Sequence, residues 1–196
     1  MPATRSRLAP VLFLSALSAA VALACAGTAA EAGDDSSSAS PVVAACANPN
    51  LPREILDGSL PGSPQAPLSL VEVSAPGLAL RLAVASDDED REQGLMCVTR
   101  LRPQHGMIFV FGTNRQWDFW MKNTLVPLDM VWLTPDGTIT TVAPEVPAST
   151  RTTPDDAVAR RSGHGKYVIE LASGEAASDK LKVGERLIVP ALSASQ

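Results

Sequence analysis

The sequence predicts a mainly β or α+β fold: a compact, partly closed antiparallel sheet or barrel-like domain carrying one or two short helices. Three observations point there. Apolar residues recur with a period of two at Leu78, Leu80, Leu82 and Val84, at Trp117, Phe119 and Met121, and at Tyr167, Ile169 and Leu171. The run Met107-Ile108-Phe109-Val110-Phe111 is continuously apolar, the mark of a strand covered on both sides. Turn-forming Pro, Gly, Asp and Ser separate these runs, as they do in strand-rich domains.

Residues 1–26 read as an export signal. Arg5 and Arg7 form the basic start, residues 8–24 the apolar stretch, and small residues follow at the cleavage point. The stretch is interrupted by Pro10 and falls short of the roughly 20 apolar residues that a membrane span takes. Val21-Ala22-Leu23-Ala24-Cys25 resembles a bacterial lipobox, which makes Cys25 the expected lipidation site; an ordinary Ala-x-Ala cut is the alternative. Residues 27–66 are rich in Ala, Ser and Pro and include an acidic, small-residue stretch. They read as a disordered linker because they offer little apolar surface to bury. The domain is expected over 67–191, with a tail at 192–196. The expected address is the bacterial cell envelope, periplasmic or lipid-anchored, with the membrane touched by the lipid anchor only. Once Cys25 is used or removed, Cys46 and Cys97 remain as an even pair in an oxidising compartment. A disulfide between them is the expectation, and two unpaired thiols the alternative.

Within the domain, Leu68, Leu70 and Val73 begin a strand, and Ser74-Ala75-Pro76-Gly77 turns it into the alternating run from Leu78. Ser86-Asp87-Asp88-Glu89 has the spacing of a capping box, with Ser86 as cap, and Gly94 ends the short helix that follows. The acidic run lacks the Gly and the closing Glu of an EF-hand loop, so it reads as a helix start rather than a calcium site. After the strands ending near Phe111 and Lys122, Asn123-Thr124 forms a bend. Residues 128–133 form another strand, and Thr134-Pro135-Asp136-Gly137 turns into the next. Residues 150–165 are polar and read as a long exposed loop. A strand from Lys166, a second short helix within 174–181 and a last strand at 187–189 complete the chain.

Three stretches resemble a known family. They are Arg91-Glu92-Gln93-Gly94-Leu95-Met96, then Gly106-Met107-Ile108-Phe109-Val110-Phe111 continuing to Phe119-Trp120-Met121-Lys122-Asn123-Thr124-Leu125-Val126-Pro127-Leu128-Asp129, and Lys166-Tyr167-Val168-Ile169-Glu170-Leu171 with Gly174 and Gly184. Their order and spacing resemble the DUF192 family, a domain of unknown function. The resemblance implies a compact, mostly β fold and no particular reaction. The chain departs from the pattern at Cys97-Val98-Thr99-Arg100, where an aromatic residue and an Arg more often follow the Gly-Leu-Met, so no role is carried to Arg100.

Charge limits the functional classes. Residues 68–191 hold 13 Lys and Arg against 16 Asp and Glu, a net charge of −3. Nucleic acid is therefore not an expected partner, because phosphate contacts need a basic face. Two histidines without metal-ligand spacing argue against zinc, and no cofactor is expected. The residues that invite a binding reading cluster at the bend. Trp120 and Lys122 share one side of a strand, Asn123 and Thr124 turn the chain, and Asp129 starts the return as a plausible partner for Lys122. Arg91 and Glu170 are expected to border the same cleft. A flat indole beside hydrogen-bonding groups suits a small polar ligand such as a saccharide. Two other readings stand beside this one: an enzyme using Lys122 and Asp129 as an acid/base pair, and a structural envelope protein in which Trp120 is core and the charges form ordinary ion pairs.

Overall fold

A computed structural model of the chain describes residues 46–57 and 67–195. The export signal, Cys25 and most of the expected linker lie outside the described residues. β1 (Leu70–Ala75) and β2 (Leu78–Ala85) pair antiparallel around Pro76 and Gly77, the glycine taking the positive φ (+79°) that the turn requires. The short helix α1 (Asp88–Gln93) follows, capped one residue later than the sequence suggests. Asp87, not Ser86, accepts from the Asp90 amide at 2.8 Å, while Ser86 Oγ lies 3.0 Å from Ser195 Oγ. Gly94 stops the helix at φ +48°. A Cβ there would also come within 3.3 Å of the Phe109 ring, so a glycine lets this corner sit on the core.

β3 (His105–Trp120), β4 (Leu128–Leu133), β5 (Ile139–Val146) and β6 (Arg160–Ala172) complete one six-stranded sheet in the order β1-β2-β3-β6-β4-β5, with α2 (Glu175–Ser178) after β6. The fold class is the expected α+β with two short helices. Two details differ from a closed antiparallel sheet. β2 and β3 run parallel, because α1 and residues 94–104 carry the chain back across before β3 begins. The sheet also stays open. In place of the expected last strand, residues 186 and 188 make single bridges, Arg186 to Thr138 and Ile188 to Ser74.

The middle of the sheet is covered on both faces: residues 106–111 of β3, residues 167–171 of β6 and every residue of β4 are buried. One core gathers Met107, Phe109, Met130, Trp132 and Val168; the other gathers Ile108, Val110, Val131, Ile169 and Leu171. Alternation along each strand assigns the sides. Residues 46–57, expected as linker, belong to the first core. Leu51, Ile55 and Leu56 are buried there, Leu56 bridges Leu101, and the Leu68 amide donates to the Asn50 carbonyl. Cys46 and Cys97 are joined by a disulfide with a Cα separation of 5.6 Å. The expected tail is also packed, with Leu192 and Ala194 against the second core.

β3 folds back on itself. At about 3.3 Å per residue, a straight strand would hold Phe111 and Trp117 roughly 20 Å apart. Their rings stack at 3.8 Å, and those of Phe109 and Phe119 meet edge-on at 4.9 Å. The reversal lies where the pairing with β6 shifts register, between Val110 and Arg115. Beyond it, residues 115–120 pair with residues 160–165, so the last six residues of the expected exposed loop are strand. Close packing, not flexibility, explains the glycines in Ser162-Gly163-His164-Gly165. A Cβ on Gly163 would lie 2.4 Å from the Trp132 indole, and one on Gly165 2.6 Å from the Leu133 carbonyl oxygen.

Candidate functional site

The returning half of β3 leaves a pocket of about 280 Å³ between itself and α1. Phe109, Phe111, Trp117 and Phe119 supply aromatic wall, and residues 94–96 close the side toward α1. Its volume falls just below the range of small-molecule sites, roughly 300–1,000 Å³, which fits only a small ligand.

Glu170 lines the pocket from the middle of the sheet. In register it lies between Met107 of β3 and Met130 of β4, on the face of the first core. It is 5% exposed, and its carboxyl has no hydrogen-bond or ion-pair partner among the described residues. Loss of hydration with nothing to replace it pushes the Glu170 pKa up to about 8. A carboxyl so placed is costly unless a partner arrives.

The cations of the pocket are already engaged. Arg91 Nη1 donates to the Val110 carbonyl at 2.9 Å and to the Ser86 carbonyl, and Nη2 donates to Asp88 at 2.6 Å. The guanidinium also lies 5.5 Å from the Phe111 ring centre. It ties α1 to the end of β2 and to β3, and so builds the wall. Lys122 Nζ pairs with Asp155 and lies 5.6 Å from the Trp120 ring centre. That ammonium holds the Asp155 carboxyl below its usual range. Trp120, 40% exposed, also carries Arg160 at 4.9 Å and forms part of the rim.

Of the residues expected from sequence, the pocket gathers Arg91, Trp120, Lys122, Thr124 and Glu170. It does not include Asn123 or Asp129. Asn123 is a turn residue at φ +51° whose carbonyl accepts from the Cys97 amide at 2.8 Å. The expected Lys122–Asp129 pair is not formed. Asp129 is fully buried on the other face of β4, where it accepts from the Glu145 amide at 2.7 Å and the Ala176 amide at 2.8 Å. Alternation explains the miss: Asp129 shares its side with Val131 and Leu133, away from the pocket. In the sequence Phe109, Phe111, Trp117 and Phe119 read as strand core; in the structure they also wall the pocket. No local signal marks the fold-back that makes them so. Glu170 did carry a signal, an acid alternating with Val168 on an inward face.

Fold and site together define a small α+β domain with one doubly covered mixed sheet and an aromatic pocket around an unpartnered buried acid. The chain belongs to the DUF192 family, an uncharacterised ACR, whose family model matches residues 71–189. A search among curated proteins finds no match. Two solved structures share the fold. One, from Sinorhizobium meliloti 1021 and described as a candidate transcription regulator, is 34% identical, with 62% of this chain and 94% of that one covered and a TM-score of 0.51. The other, a protein of unknown function from Novosphingobium aromaticivorans DSM 12444, is 25% identical, with 64% and 89% covered and a TM-score of 0.53.

Proposed function

We propose that the domain is a binding module for a small polar ligand of about monosaccharide size, held in the pocket between α1 and the returning half of β3. The observation that carries this reading is Glu170. A buried carboxyl with no internal partner, facing a cavity, is explained if the partner comes from outside. Aromatic walls supply contact area at low entropic cost, and Trp120 and Lys122 supply hydrogen-bonding groups on the lining. The enzyme reading loses its acid/base pair, because Asp129 is spent on two backbone amides. The regulator description of the Sinorhizobium relative is not extended to this chain, since a domain of net charge −3 is poorly matched to a phosphate backbone.

A thermal-shift screen of the full-length protein against simple sugars, amino acids and small amines tests the reading. At least one compound is expected to raise the Tm of wild type while leaving Trp117→Ala unshifted. A screen in which every hit shifts both proteins equally would rule the pocket out.

We further propose that the module is exported and tethered to the cell envelope through Cys25. The lipobox-like sequence and the Cys46–Cys97 disulfide support this. Cell fractionation of Cys25→Ala is expected to move the protein from the membrane to the soluble fraction. An unchanged distribution would contradict the anchor.

A further inference from the structure

We propose that the pocket takes a small organic cation, its charged nitrogen seated on the Glu170 carboxylate within the aromatic walls. This rests on the binding reading above and names its ligand class. The charged residues lining the pocket are Asp88, Arg91 and Glu92 from α1, Asp118 from β3, Lys122 just beyond it, and Glu170 from β6. β4 sets only Met130 beside Glu170, because Asp129 faces the other core. Both cations are neutralised, Arg91 by Asp88 and Lys122 by Asp155. Glu92 and Asp118, which are exposed to solvent, and Glu170, which is buried, have no ion-pair partner among the described residues, and every lining cation has one. Exposed acids are served by water and by nearby cations such as Arg115 and Arg160, so the vacancy is the one at buried Glu170, and it is for positive charge.

The walls agree with that sign. Aromatic faces attract cations through their quadrupole, most strongly where water is excluded. Around this site the chain's own cations already use them: Arg91 against Phe111, Arg115 at 3.8 Å from the Trp117 ring centre, and Lys122 and Arg160 against Trp120. A neutral hydroxylated ligand would use Glu170 as a hydrogen-bonding acid and the walls as contact area, without drawing on their quadrupole. A cation would use both features.

The protonation of Glu170 gives the two ligand types opposite pH signatures. Without ligand the carboxyl keeps its proton up to about pH 8. A cation pairs with the ionised form, so its binding releases that proton. Affinity then rises with pH, by about tenfold per unit below 8, and levels off above. A neutral acceptor bound by the protonated acid weakens above pH 8 instead.

Isothermal titration of the full-length protein with choline tests the proposal, with its neutral isostere 3,3-dimethylbutan-1-ol and with glucose as comparison probes, at pH 6, 7, 8 and 9. We expect choline to bind at least about tenfold more tightly than the isostere, its affinity to climb between pH 6 and 8, and Glu170→Gln to lose both the binding preference and the climb. If the isostere or glucose binds as well as choline, or Glu170→Gln keeps the preference, the cation proposal is overturned while the pocket stands as a binding site. If none of the three probes binds while other compounds in the thermal-shift screen do, the cation proposal falls alone. Silence in both experiments ends the binding reading as well.

Discussion

Replacing Glu170 by Gln is expected to stabilise the protein at alkaline pH and to flatten its stability profile. The sign follows from the pKa pair. Unfolded, the carboxyl ionises near its ordinary 4.5; folded, burial holds the proton until about 8. Below pH 4.5 both states are protonated and the group is neutral in the balance. Between 4.5 and 8 the unfolded chain gives up its proton while the folded one retains it, so stability falls by about 1.4 kcal/mol per pH unit. Across the window that amounts to at most roughly 5 kcal/mol, a large share of a typical domain's stability. Burial also raises the pKa of Asp90 and Glu175, which adds to the same slope from other places. Gln keeps the shape of the protonated acid and cannot ionise. Urea unfolding at pH 5 should therefore find wild type and Glu170→Gln similar, within about 1 kcal/mol. At pH 9 the variant should be more stable by several kcal/mol. Parallel profiles would mean that the carboxyl is solvated or paired in the folded protein.

Removing the disulfide is expected to destabilise the domain by up to about 4 kcal/mol, because the bond closes a loop across a sequence separation of 51. For a domain of this size that corresponds to a fall in Tm of roughly 10 °C. The effect should have a place as well as a size. Cys97 follows directly on residues 94–96, which line the pocket, and Cys46 holds the segment that buries Leu51, Ile55 and Leu56. Two further ties join the same parts: the Gln93 side chain donates to the Cys46 carbonyl at 2.7 Å, and the Asn48 side chain to Asp90 at 3.0 Å. In Cys46→Ser/Cys97→Ser, hydrogen exchange should accelerate first in residues 46–57 and α1, with β4 still protected. Uniform acceleration, or an unchanged Tm, would show that the bond does not set the stability of this wall. A chain begun at residue 67 would lose the bond and the three apolar anchors together.

Much of the fold was legible because the sheet is built from local patterns. Period-two alternation and the apolar run at 107–111 mark the strands, and Pro76-Gly77 and Pro135-Asp136-Gly137 mark the turns. What was not legible depends on contacts between distant residues. The reversal within β3 has no turn signature strong enough to announce it; the stacking of Phe111 on Trp117 shows where the chain returned. Residues 160–165 look like a loop because their glycines suggest freedom, while those at 163 and 165 are there to admit the Trp132 ring and the Leu133 backbone. The segment at 46–57 was hidden among prolines, since composition averages away the three apolar residues that anchor it. At the site, the sequence brought forward Arg91, Trp120, Lys122, Thr124 and Glu170, which do meet at one pocket. It misjudged their order of importance. Local pattern points to the bend as the centre and to Glu170 as a border, whereas Glu170 lies unpartnered inside and Lys122 is already paired with Asp155.

Direct titration of the Glu170 side chain is the most searching measurement. In the full-length protein with ¹³C-labelled glutamate, its carboxyl resonance, assigned by comparison with Glu170→Gln, should stay in the protonated range at pH 7 and move with a midpoint near 8. A midpoint among the ordinary glutamates, near 4.5, would contradict the account.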